Sequence, residues 1–280
     1  MKKTYQLSIS TQGPLYPPSE ILDQAGDFIT IGYLNVLNPE TQQCHRTWGA
    51  ALVSQNSPLP PFGESKRYEI IRYLDVDNLA ADKEMVLYTL PYPIPCHNYP
   101  MVFAPDQIEL TRCTRPSYPF HLAPIPDVRP QDGRKCSQPI TLGQWVQAKG
   151  EVTVSVTPDK KAALFVFELS GLIPNSLYTI MALREHDLDP AGPTRPGPLG
   201  VPNVFIADEE GRGKYQALMP NPFPSLSIPF NQRHRITNVV VLWMSSQMNC
   251  GGAIGHFGLG VDIHAQLKLQ VPSFLEFETI

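Results

Sequence analysis

Proline limits this chain more than any other residue. A proline fixes its own φ, lacks the amide hydrogen that a helix or sheet ladder needs, and pushes the residue before it out of the helical region. The sequence holds 30 prolines and 19 glycines in 280 residues. Prolines crowd into 91–105, 114–142 and 190–202, and glycines recur through 250–260. The runs between these clusters are short, which excludes helical bundles and the long crossovers of parallel α/β folds. With 42% apolar residues against 17% charged, the chain is too apolar to remain disordered. What is left is β-structure, in short strands joined by turns.

Alternation, with β-branched and aromatic enrichment between turn residues, marks strands at Tyr5–Ser10, Phe28–Leu37, Thr47–Ser54, Tyr68–Val76, Met85–Leu90 and Gln107–Cys113. The second half adds Val152–Thr157, Ala163–Leu169, Leu177–Arg184, Val204–Ala207, Lys214–Met219, Thr237–Met244 and His264–Val271. Asn38-Pro39-Glu40-Thr41 and Pro158-Asp159-Lys160-Lys161 are turns that close hairpins. Asn238–Met244 is apolar at almost every position, so it is expected at the centre of a sheet, covered on both faces. Ser19–Gln24, capped by Ser19, and Asn78–Glu84 are expected as short helices. The fold class is therefore all-β. An antiparallel β-sandwich of immunoglobulin or fibronectin kind is expected over 143–280. An irregular β-rich unit precedes it over 1–113, and a proline-rich connection spans 114–142.

Charge narrows the function classes. There are 12 Lys+Arg against 14 Asp+Glu up to residue 142 and 10 against 12 beyond it, leaving −2 on each part. With no basic half, no footprint for nucleic acid exists. The densest basic group, Arg233-His234-Arg235, reads as a solvated loop. No apolar run is long enough for a transmembrane segment. Met1-Lys2-Lys3 has the charged start of a bacterial signal peptide, but Thr4–Gly13 is polar and alternating. The expected address is cytoplasmic as written, and extracellular or periplasmic if a leader was removed. Five cysteines form no C-x-x-C motif. Cys113 and Cys136 flank the proline-rich connection, where a disulfide would staple it; buried reduced thiols are the alternative.

Ser170-Gly171-Leu172-Ile173-Pro174-Asn175-Ser176-Leu177-Tyr178-Thr179 resembles the tyrosine corner of fibronectin type III and related sandwiches. The resemblance implies that the Tyr178 hydroxyl folds back onto the backbone upstream. Together with Pro202-Asn203-Val204-Phe205-Ile206-Ala207-Asp208 and Gly211-Arg212-Gly213, the C-terminal half is similar to uncharacterised bacterial secreted β-sandwich proteins. That similarity implies export and fold rather than chemistry.

Two groups of residues could carry chemistry. Cys250, His256 and His264, with Met248 nearby, combine sulfur and imidazole in a glycine-rich segment, a donor set suited to copper or zinc. The order of ligands does not match that of blue-copper sites. Glu185-His186-Asp187-Leu188-Asp189 ends a strand; His186 and Asp187 could hold a divalent metal, and the alternating carboxylates could hold calcium. Cys44-His45 and Cys96-His97 are adjacent pairs, but neighbours on a strand face opposite ways. No catalytic motif is complete. The expectation is a non-enzymatic binding or assembly module of an exported protein, contacting a protein partner or another copy of itself through loops or sheet edges. The alternative is a metal-dependent enzyme or metal carrier with zinc, copper or calcium at His186, Asp187, Cys250, His256 and His264.

Overall fold

The computed structural model of the chain describes residues 1–13, 18–61, 64–95, 109, 112–125, 136, 138–189, 197–249 and 257–280. It is all-β and antiparallel, with 40% strand and 9% helix. Twelve strands are present among the described residues: β1 (Lys2–Ile9), β2 (Phe28–Leu37), β3 (Cys44–Val53), β4 (Ile70–Tyr73), β5 (Lys149–Val156), β6 (Ala162–Ser170), β7 (Leu177–Arg184), β8 (Gly197–Pro198), β9 (Val204–Ile206), β10 (Gly213–Pro220), β11 (Ile236–Met244) and β12 (Ile263–Lys268). One α-helical turn, α1 (Leu142–Trp145), opens on a capping box between Thr141 and Gln144.

Nine strands form one curled sheet in the order β10-β6-β5-β1-β12-β11-β7-β8, with β9 also paired to β7. The other three form a smaller sheet, β2-β3-β4. Strand β1 is the joint of the large sheet: Lys2 to Leu7 pair with β5, and Ser8 and Ile9 pair with β12. This pairing crosses the connection expected at 114–142. The first strand of the chain lies between two strands of its C-terminal half.

Two cores follow from the alternation of side chains along β7 and β11. Ile180, Ala182, Val239, Val241 and Trp243 pack with Val154, Phe165, Phe167 and Trp145 inside the curl. Met181, Leu183, Val240 and Leu242 pack on the other face with Phe28, Leu34 and Val53 of the smaller sheet and with Tyr68 just before β4. This is why all nine residues of β11 are buried and why its sequence is apolar at successive positions rather than alternate ones.

The hairpin turns form as expected. Asn38 Oδ1 accepts the amides of Glu40 and Thr41 at 2.9 and 3.1 Å, closing β2 onto β3. The tyrosine corner also forms: the Ile173 amide donates to the Tyr178 hydroxyl at 2.8 Å. Gly171 starts this corner at φ +64°, and a Cβ there would stand 2.1 Å from the Gln147 carbonyl oxygen.

Four expectations are corrected. Ser19–Gln24 is not helical: the Ser19 hydroxyl contacts the carbonyls of Thr11 and Ile29, and Leu22 bridges Phe28 and Tyr88. Met85–Leu90 makes isolated bridges, through Val86 and Tyr88, instead of a strand. Cys113 and Cys136 are free thiols, so no disulfide staples the connection. Arg235 is buried rather than solvated, for a reason given below. The expected helix at Asn78–Glu84 is a 3-10 turn over Ala80–Glu84. Most of the strand expected at Gln107–Cys113 lies outside the described residues.

Candidate functional site

Of the residues singled out for metal binding, Cys250 and His256 lie outside the described residues. His264 and His186 stand at opposite ends of β7. His264 pairs with Trp243, and Trp243 with Tyr178 at the start of β7, whereas His186 follows its last residue. β7 is eight residues long, so at ~3.3 Å per residue the two imidazoles are roughly 25 Å apart. They do not share a site. Among the described residues no group of three His, Cys, Asp or Glu side chains is placed to hold a metal ion.

At one end, His186 Nε2 contacts the Arg233 carbonyl oxygen and its ring lies 5.0 Å from those of Phe230 and His234. The Asp187 carboxylate accepts the Arg184 amide at 2.7 Å, capping the turn. Arg233 pairs with Glu185 at 2.7 Å, half-buried. Arg235 turns inward and donates to the carbonyls of Pro224, Phe274 and Phe277, at 3.1, 2.7 and 2.6 Å. Arg235 thus ties the C-terminal segment to β11.

At the other end, His264 is fully buried beside Phe120 and Trp243. Its Nε2 meets Ser245 Oγ at 2.9 Å and its Nδ1 meets the Glu20 carbonyl oxygen at 3.4 Å. A neutral ring satisfies both, donating from Nδ1 and accepting at Nε2. Burial pushes its pKa down to about 3. The pair resembles a nucleophile and its base, but it is sealed from solvent and no carboxylate orients the imidazole.

Around it runs a buried polar layer between the two sheets. Glu20 Oε2 accepts the Ala265 amide at 2.7 Å. Burial raises this carboxyl to about 8. Lys268 donates to the carbonyls of Gln12 and Gly13, and burial lowers it to about 8. Arg115 and Asp262 form a buried ion pair at 2.6 Å. Sequence reasoning missed this layer. His264, Gln266 and Lys268 alternate with Ile263, Ala265 and Leu267, which is the signature of a half-solvated strand, yet all three are buried.

The open feature lies on the small sheet. Among the described residues β4 pairs with β3 alone, and Ile71 and Tyr73 are 51% and 64% exposed. A recess of about 460 Å³ runs beside it. All four residues of β4 line this recess, as do the consecutive Asn35, Val36 and Leu37 of β2. Successive residues of a strand face opposite ways, and residues of both orientations from β4 and from the end of β2 touch the recess. Further up, the outer edge of β2 is already covered: Ile29 bonds Ile21, Ile31 bonds Thr11, and the Gln12 side chain brackets Tyr33. At the recess, among the described residues, the Asn35 carbonyl is taken by the Tyr68 amide at 3.0 Å. A larger recess of about 790 Å³ lies between the 80–84 turn and α1, but Asp77, Lys83 and Glu84 bring charges of both signs to it and no strand edge opens there.

Comparison with family models, with curated proteins and with solved structures gives no match. Among the described residues no helix is long and apolar enough to cross a membrane. The class that fold and geometry define is an all-β chain of one curled and one small antiparallel sheet, with a polar layer buried between them and, among the described residues, an edge of β4 without a neighbouring strand.

Proposed function

We propose that the chain is a non-enzymatic binding or assembly module, and that it meets a protein partner or another copy of itself along the open edge of β4. One observation carries this reading: among the described residues β4 is bonded on one side only, with two large apolar side chains exposed, beside a recess that β4 and the end of β2 line. Such an edge offers main-chain donors and acceptors for strand addition, while side chains at alternate positions supply selectivity. Export, which the resemblance of the C-terminal half implies, belongs to the same proposal and is tested by cell fractionation.

The binding test places a photo-crosslinking amino acid at position 73 and, as a control, at the exposed position 160. A defined adduct formed at 73, absent at 160 and removed by Ile71→Lys, is the expected result. Sedimentation of the adduct distinguishes a partner from a second copy. Equal adducts at both positions, or none at 73, would count against the reading.

A further inference from the structure

The recess between β4 and the end of β2 has a chemistry of its own, and it deepens the binding reading on which it rests. We infer that it takes one extended peptide segment as an added strand, and that the segment carries acidic side chains alternating with apolar ones.

The shape argues for a single free strand. The recess is lined by all of β4 and by Asn35, Val36 and Leu37 of β2, the two outer strands of the small sheet. The Tyr68 amide bonds the Asn35 carbonyl at one end and closes that end off. A strand seated between two edges needs both of its own edges free. The β4 strand of a second copy has one edge held by its own β3, so it cannot fill this position, whereas an isolated extended segment can.

The lining argues for the charge. Arg67 and Arg72 line the recess and no carboxylate does. Arg72 is engaged by Asp82, but Arg67 makes no ion pair among the described residues. An unpaired guanidinium beside an apolar edge of Ile70, Ile71, Tyr73 and Tyr68 favours a segment that brings a carboxylate to it and apolar side chains to the rest. The guanidinium is solvent-accessible, so it selects among partners and speeds encounter more than it adds affinity.

The probe is a displayed library of random eight-residue peptides, selected on the immobilised full chain and on two variants, Arg67→Glu and Ile71→Pro. The expected result is enrichment of sequences with Asp or Glu alternating with apolar residues. The bias should turn to Lys or Arg on Arg67→Glu, and enrichment should fall about tenfold or more on Ile71→Pro, with circular dichroism showing both variants folded. Enrichment without charge bias, or a bias unmoved by Arg67→Glu, would overturn the inference while the binding reading stands. Absence of enrichment on the wild-type chain overturns the inference too, and the crosslinking at position 73 then decides the broader reading by itself. A crosslinked adduct consisting of two copies of this chain would also overturn it.

Discussion

The phenol of Tyr178 and the amide of Gln266, 88 positions apart in sequence, meet at 2.9 Å in the core. The same phenol accepts the Ile173 amide, and Gln266 Nε2 donates onward to the Trp145 carbonyl at 3.0 Å. Strands β7 and β12 and the turn α1 are thus locked by one buried chain of hydrogen bonds. Tyr178→Phe keeps the ring and removes the hydroxyl, leaving the Ile173 amide and Gln266 Oε1 without it. The expected loss is about 1–3 kcal/mol of unfolding free energy, read from denaturant titration. A loss below the error of the titration would mean that water replaces the hydroxyl.

Arg235 holds three carbonyls of the segments around Phe223, Phe274 and Phe277, whose rings pack together. Arg235→Met leaves those acceptors buried. The variant should lose about 2–4 kcal/mol, and proteases should clip it within 271–280 before the rest of the chain. Proteolysis that begins elsewhere would assign the anchoring of the C-terminal segment to the phenylalanines alone.

Glu20 sets a pH dependence. Its folded-state pKa, raised to about 8, lies above the ordinary 4.5. The folded chain therefore keeps a proton that the unfolded chain has given up, and stability falls as pH rises from about 4.5 to about 8. Lys268, lowered to about 8, acts in the window above that, between about 8 and 10.5, where stability rises with pH. His264 opposes Glu20 only below its ordinary 6.5. Glu20→Gln retains an acceptor for the Ala265 amide and abolishes the titration. Melting temperatures of the wild-type chain should fall relative to Glu20→Gln between pH 6.5 and 8. Parallel curves would show that Glu20 is ionised in the folded state.

His264 should stay neutral. With its pKa pushed down to about 3, its ring nitrogen resonances should not titrate between pH 5 and 8, and added zinc should leave them unmoved. A midpoint near 6.5 would place the ring in contact with solvent and reopen a chemical role for it.

The strands were legible because alternation and turn chemistry are local. Phe28–Leu37 and Leu177–Arg184 coincide with β2 and β7, and the apolar run of Asn238–Met244 does mark a strand covered on both faces. What was not legible is pairing across the chain. Nothing local in Lys2–Ile9 says that it joins β5 to β12, a pairing that crosses the connection expected at 114–142. The cap signal at Ser19 was real in its hydrogen bonding, since its hydroxyl accepts the Ile21 amide. Contacts with Thr11 and Ile29 overrode the helix. For the candidate site, residue type pointed to His264 and His186, but type does not report burial or separation along β7. The edge of β4 was hidden for a similar reason: Ile70-Ile71-Arg72-Tyr73 reads alike whether one neighbour or two flank it.

The most direct measurement is residue-resolved amide hydrogen exchange of the full chain. The central claim is an open strand edge at β4 that a partner strand covers. In the free chain the amides of Ile71 and Tyr73 should exchange far faster than those of Val239–Trp243 in β11. They should slow when a peptide selected on the chain is added. Amides at Ile71 and Tyr73 already protected as strongly as those of β11 in the free chain would contradict the account, because the edge would then be occupied before any partner arrives.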